Sequence, residues 1–520
     1  MVKGKLALVL HAHLPYVRSA KAGSLEEDWF FQAVLECYLP LLSTLEKAST
    51  DKEQNPKLTI SLSPTLLSLF DDKELKKRFP NWIKTRINLL TKTPKSLKNA
   101  AEDLSANLQS QLNLWHFYKG DLINRFSALQ NSQVIDVLTC AATHGYLPLL
   151  RENPEAVRGQ LITAVREHIR LLGIKPLGIW LPECAYYEGL DSLIREAGLR
   201  YAVLDGHGIL HANPRPKYGI YFPICSKNGI AFFGRDSQST LPVWSSKEGY
   251  PGNSEYREFH KDFGWDLPLK TLNGIGIKEP RPLGIKLYKV TGQNTSLEKK
   301  QVYDPAAAKK LVKDHAKEYL QGRKKQLEDL YKTMKIEPLL VAPFDAELFG
   351  HWWFEGPNFL SELFIQSKNE NIKFTRLKDE LSKCPNLQLC DPSPSSWGQG
   401  GYHNYWLNET NSWIVPEWNK ASRAMISRCS IGVSRKSDIK VLRQAARELL
   451  LCQSSDWSFI LKAGTTTQLA KDRIYLHLNR FWRLINSIER IEEISSLELD
   501  QIENEDCLFP LIQPTDWIKS

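Results

Sequence analysis

Seven short apolar runs recur along this chain, each closing on polar or small residues and separated by longer stretches with helical spacing. They are KLALVLHAH (5–13), KLTISLSPT (57–65), QVIDVLTCAATHG (133–145), PLGIWLPE (176–183), RYAVLDGHG (200–208), GIAFFGRD (229–236) and PLLVAPFDAE (338–347). Continuous apolar runs of this length suit strands buried on both faces, and parallel strands need long crossover connections. NLQLCDPS (386–393) is a weaker eighth candidate. The pattern predicts an α/β fold: an incomplete (β/α) barrel with insertions, spanning residues 1–415.

Residues 71–130 are Leu-, Lys- and Gln-rich with helical spacing and read as a helical insertion between two strands. Residues 234–300 are rich in Gly, Pro, Ser and aromatics and read as long loops over a cleft. From 416 to 520 the pattern is helical only, so a C-terminal all-helical domain is expected.

Composition narrows the function. A chain of 520 residues, 42% hydrophobic and 24% charged, is ordinary for a globular protein with a large core. The net charge of +9 comes from interspersed signs, which argues against a nucleic-acid surface. Nine dispersed cysteines predict reduced thiols and a cytoplasmic location. No apolar run is long enough to span a membrane, and the amino-terminal run reads as a strand rather than a signal peptide. No obligate protein partner is indicated. The 15 tryptophans, several gathered at Trp352, Trp353, Trp397, Trp406, Trp413 and Trp418, suit either a core or a surface that stacks on sugar rings.

In a (β/α) barrel the chemistry sits where strands end. The runs end at His11 and His13, Ser63, His144, Glu183, Asp205 with His207, Arg235 with Asp236, and Asp345. So many polar strand ends predict one ligand-facing rim, with Arg235 among its substrate contacts. His11 and His13 are two apart and share a strand face. Asp205 reads as a turn builder. Glu183 and Asp345 each end an apolar run among aromatics, where carboxylates are rare unless paired, hydrogen-bonded or chemically employed. Glu188 falls at a helix start, where an acid only favours the helix terminus. Glu347 reads as a supporting partner of Asp345. Two carboxylates presented this way are what glycosidic bond chemistry needs.

Four segments, HAHLPY, ATHGYLPLL, WLPECAY and PFDAELFGHWWFEG, resemble in content and order the motifs of glycoside hydrolase family 57. The resemblance is nearest to that family's 1,4-α-glucan branching enzymes and extends to the Asp456–Trp457 pair. It implies an incomplete (β/α)7 barrel and retaining chemistry, with Glu183 as nucleophile and Asp345 as acid/base. It also implies His11, His13, His144, Trp265, Trp397, Trp406 and Asp456 as substrate contacts, α-glucan donor and acceptor chains as partners, and no cofactor or metal. Segment 236–243, DSQSTLPV, has no aromatic at a loop tip where some members carry one, which leaves transfer against hydrolysis open. The competing readings are an α-amylase or 4-α-glucanotransferase of the same family, a metal-dependent sugar hydrolase or deacetylase using the histidines and Asp345, and a silent glucan-binding protein.

Overall fold

The computed structural model describes residues 3–18, 23–51, 54, 56–245, 248–292, 294–384, 386–432 and 435–518. Its strands are β1 (Lys5–Ala12), β2 (Leu58–Leu62), β3 (Ile135–Leu138), β4 (Gly178–Trp180), β5 (Tyr201–Leu204), β6 (Ile224–Cys225), β7 (Ala231–Gly234), β8 (Leu339–Asp345) and β9 (Gln388–Leu389). One sheet runs β3-β2-β1-β8 and the other β4-β5-β7-β6-β9. A parallel bridge between Thr139 and Ile179 joins β3 to β4. The ring then closes loosely, with the Asp236 N–H donating to the Val341 carbonyl at 2.9 Å. The seven apolar runs thus supply the seven mutually parallel strands of an incomplete barrel. The eighth run contributes only β9, which pairs with the short β6 outside that ring.

Strand parity decides which side chains enter the barrel. Leu6, Leu8, Leu10 and Ala12 pack outward against helices. Ala7 and Val9 join Leu138, Trp180, Val203, Phe233 and Val341 in a separate interior core. Each buried Val, Leu or Phe side chain among them contributes about 1.5–3 kcal/mol. Two residues further along the same inward faces come His11, Asp205, Arg235 and, past Pro343, Asp345. On β2 the outward set is Leu58, Ile60 and Leu62, which leaves Thr59, Ser61 and Ser63 facing in.

Helices Lys73–Leu90, Lys98–Phe117 and Leu122–Asn131 form the insertion between β2 and β3. Asp72 starts the first by accepting the Glu74 and Leu75 N–H groups. The 234–300 region is irregular apart from short elements, including the helix Ser237–Trp244. Helices Ile414–Ile431, Lys436–Cys452, Ser455–Ala463, Thr467–Ile488 and Ser496–Glu505 make up the C-terminal helical domain. No described helix is long and apolar enough to cross a membrane.

Candidate active site

The carboxyl ends of the strands converge on a three-histidine cluster. His11 Nε2 lies 2.9 Å from His144 Nε2, and the His13 and His144 rings stack with centroids 4.0 Å apart. The inward serines of β2 orient the pair on β1: Ser61 Oγ is 3.2 Å from His11 Nδ1, and Ser63 Oγ is 2.8 Å from His13 Nδ1. From the helical domain, Ser455 Oγ reaches His144 Nδ1 at 2.7 Å and Asp456 reaches His13 Nε2 at 3.0 Å. Two domains therefore build one polar cluster.

Glu183 stands beside it. Its Oε2 accepts the Trp397 indole N–H at 2.7 Å, and its Oε1 is 4.0 Å from His144 Nδ1. Glu183 and His144 both hold left-handed backbones, with φ of 61° and 57°. For non-glycine residues such conformations cost on the order of 1–3 kcal/mol, and they gather at functional sites where surrounding bonds enforce them. Here the Trp397 backbone N–H donates to the Glu183 backbone carbonyl at 3.0 Å, and the Ser455 backbone N–H donates to the His144 carbonyl at 3.1 Å.

Asp345 ends β8 in register with His11 on β1. Burial raises its pKa well above the usual carboxylate range, and the neighbouring Glu347 adds to the rise while Arg235 opposes it. Burial likewise raises Glu183 to about 8, with Asp345 contributing, but the Trp397 hydrogen bond and His13 pull the other way. Glu183 thus senses the charge of Asp345. Glu183 is stabilised as an anion by the Trp397 hydrogen bond and His13, and Asp345 by Arg235, each against burial and a neighbouring acid. Asp456 behaves oppositely: burial pushes it up, but His13, His144 and Ser454 hold it down at about 2. His11 and His144 are pushed well below the ordinary imidazole value by burial, which favours a neutral hydrogen-bonded pair.

Arg235 forms an ion pair with Asp205 at 3.1 Å, and its guanidinium lies 5.7 Å from the Trp397 ring. Asp205 also binds His207 Nδ1 at 2.9 Å. It therefore anchors Arg235 as well as opening a turn. Glu347 accepts the His13 backbone N–H at 3.1 Å and the Tyr38 hydroxyl, fastening the Asp345 turn to β1. Glu188 is exposed.

Two expected sugar platforms differ in exposure. Trp406 is buried, 2% exposed, with its ring stacked on Tyr146 at 4.6 Å, so packing already covers that face. Trp265 is 53% exposed, and among the described residues no hydrogen bond or ring contact ties it to the acids. Trp244 joins them from a position not singled out in the sequence. It ends the helix Ser237–Trp244, one residue past the aromatic-free stretch, and its ring lies 5.7 Å from Trp397. Ser61, Ser455 and Tyr38 likewise join the site without having been singled out in the sequence. For Ser61, strand parity with His11 was an available signal, whereas Ser455 and Tyr38 arrive from remote elements.

Residues 7–271 match the model of glycosyl hydrolase family 57. The chain belongs to glycosyl hydrolase family 57. Residues 417–517 match the carboxy-terminal region of 1,4-alpha-glucan branching enzymes, the stretch that supplies Ser455 and Asp456. The chain is 32% identical to a 1,4-alpha-glucan branching enzyme of Thermococcus kodakarensis, over 98% of this chain and 78% of that protein. Among solved structures, the alpha-amylase AmyC of Thermotoga maritima superposes with a TM-score of 0.91 at 33% identity, covering 100% of this chain and 99% of that one. A GH57-type branching enzyme of Pyrococcus horikoshii superposes with a TM-score of 0.89 at 31% identity, covering 99% and 97%. Both solved structures superpose over nearly all of this chain, the carboxy-terminal helices included.

Proposed function

We propose that the protein is a 1,4-α-glucan branching enzyme that cleaves an α-1,4-glucan with retention and transfers the chain to a 6-hydroxyl. The observation that carries this reading is the shared construction of the site. The helical stretch matching branching enzymes places Asp456 3.0 Å from His13, inside the same cluster as the barrel's acids. In this reading residues 1–415 are the catalytic unit and 416–520 the helical domain, in a chain that works in the cytoplasm.

Glu183 is the nucleophile and Asp345 the acid/base. Asp345 holds the proton and donates it to the leaving glycosidic oxygen, a role that desolvation and the neighbouring Glu347 favour. The Glu183 carboxylate attacks C1 and forms a glycosyl-enzyme, for which retaining enzymes set the two carboxyls ~5–5.5 Å apart. Asp345, now ionised, removes the proton from the incoming 6-hydroxyl as that oxygen displaces Glu183. His11, His13, His144 and Asp456 hold the hydroxyls of the reacting sugar, and Arg235 and Trp397 its flank. Transfer prevails over hydrolysis only where the acceptor is held and water excluded.

The similarity to AmyC supports a second reading, an α-amylase, in which water takes the acceptor's place. Incubation with amylose, followed by debranching and chain-length analysis, separates the two. New α-1,6 linkages with little loss of total glucan are expected; shortened linear chains without branch points would overturn the branching assignment.

A further inference from the structure

Between the helices Leu25–Ala33 and Leu39–Thr50 the chain makes a single π-helical turn, Val34–Tyr38, closed by the Leu39 N–H on the Val34 carbonyl. Such wide turns are rare and gather at functional sites. Consecutive side chains of an α-helix fan out by about 100° each, so three in a row spread over more than half a circle. The wider turn narrows that fan. Here Glu36, Cys37 and Tyr38 are all buried, and all three reach the turn that follows Asp345. Glu36 lies 2.6 Å from His351 Nδ1, the Cys37 thiol donates to the Ala346 carbonyl at 3.0 Å, and the Tyr38 hydroxyl donates to Glu347. The backbones also meet: a Cβ on Gly350, whose φ is 119°, would collide with the Glu36 carbonyl.

The two glutamates differ in what neutralises them. Glu36 pairs with Arg257 at 3.0 Å, and against burial the charges of Lys286, His351 and Arg257 hold it at about 2. Its charge is therefore cancelled locally. No ion pair joins Glu347 to a cation among the described residues; it accepts the Tyr38 hydroxyl and the His13 backbone N–H. Burial pushes Glu347 up to about 7, and the Tyr38 hydrogen bond is the foremost contact opposing that rise. The other groups facing the pair are Arg235 and Glu183 at Asp345 and Cys37 at Glu347. Burial keeps the Cys37 thiol and the Tyr38 hydroxyl protonated, so both serve as donors.

We propose that the π-turn is a positioning element for the proton acid, with Tyr38 as its working residue. The Tyr38 hydroxyl holds Glu347 as an anion, and that anion keeps the proton on Asp345 until the glycosidic oxygen takes it. Tyr38 touches neither sugar nor reacting atoms in this account; it acts through Glu347. The inference rests on the assignment of Asp345 as acid/base above.

The test is the pH profile of kcat/KM for maltoheptaose cleavage by the parent, Tyr38→Phe, Glu347→Gln and the double variant, with thermal melts to establish folding. Tyr38→Phe keeps the ring and removes the donor, so Glu347 takes up a proton and no longer supports the one on Asp345. The basic limb should move to lower pH by at least about half a unit. The double variant should coincide with Glu347→Gln, because the hydroxyl works only through that charge. A Tyr38 that merely fills space would lower the rate without moving the limb, and that result would overturn the proposal, as would a double variant shifted beyond Glu347→Gln. Should Tyr38→Phe fail to fold, an unmoved basic limb in Glu347→Gln alone would overturn it. Asp345→Asn is the control: retained cleavage would overturn the acid/base assignment and the Tyr38 role with it, whereas lost cleavage beside an unmoved Tyr38→Phe limb overturns the Tyr38 role alone.

Discussion

His13, just past the end of β1, and Asp456, in the helix Ser455–Ala463, meet at 3.0 Å although 443 residues separate them. The contact ties the barrel to the helical domain at the site itself. Asp456 is held at about 2, below its ordinary value, by the charge and hydrogen bond of His13, by His144 and by Ser454, against the effect of burial. A carboxylate depressed in this way adds stability above its unfolded pKa, and that stability is lost as pH falls toward 2. Asp456→Asn should therefore cost about 2 kcal/mol at neutral pH. Urea unfolding should show the deficit shrinking between about pH 4 and pH 2.

Glu183→Gln should abolish both branching and hydrolysis while making the protein more stable. The folded-state pKa of Glu183 is raised to about 8, chiefly by burial. Stability from such a group is complete below its unfolded pKa and lost as pH rises toward 8. The variant's advantage over the parent should grow between about pH 4.5 and pH 8, to a few kcal/mol at most. Melts across that range give the stability, and amylose turnover gives the activity; residual turnover would sink the nucleophile assignment.

Trp397→Phe keeps an aromatic ring but removes the N–H that binds Glu183 at 2.7 Å. Hydrogen bonds to charged groups contribute about 1.5–3 kcal/mol, so kcat should fall roughly ten- to a hundredfold. Because that bond opposes the rise in the Glu183 pKa, its loss should move the acidic limb of the kcat/KM profile to higher pH. An unmoved limb would mean the indole only fills space.

Glu347→Gln leaves an acceptor for Tyr38 and for the His13 N–H but removes a negative charge beside Asp345. Glu347 adds to the raised pKa of Asp345, so the basic limb of the profile should shift to lower pH. A pH-rate series on a soluble maltooligosaccharide measures it.

His11, Cys140 and His144 offer ligand atoms within 4.8 Å of one another, a spacing a soft divalent ion could use. In the proposed mechanism these histidines hold sugar hydroxyls. Activity should survive exhaustive dialysis against a chelator, with no zinc found by elemental analysis. Loss on chelation and recovery with zinc would favour a metal-dependent hydrolase.

The barrel was readable from sequence because burial on both faces forces parallel strands into short continuous apolar runs. Period two did the rest: His11 and His13 share a face, and Asp345 enters the interior two residues after Pro343. The terminal residues of those runs therefore already marked the rim. Glu183 could be placed at a strand end, but its left-handed backbone, enforced by Trp397, could not be read from local pattern.

Aromatics were where sequence reasoning ran out. A tryptophan is equally at home in a core and on a sugar platform, and residue type does not tell the two apart. Packing put Trp406 in the core, left Trp265 outside the acids' contacts and brought Trp244 to Trp397. The strand pattern, the inward polar rim and the two acids were determined by local periodicity, which is written in neighbouring residues. Which groups complete the site was decided only by the tertiary structure. Asp456 meets His13 and Trp397 meets Glu183 across 443 and 214 residues, and such contacts exist only once domain packing has brought the segments together.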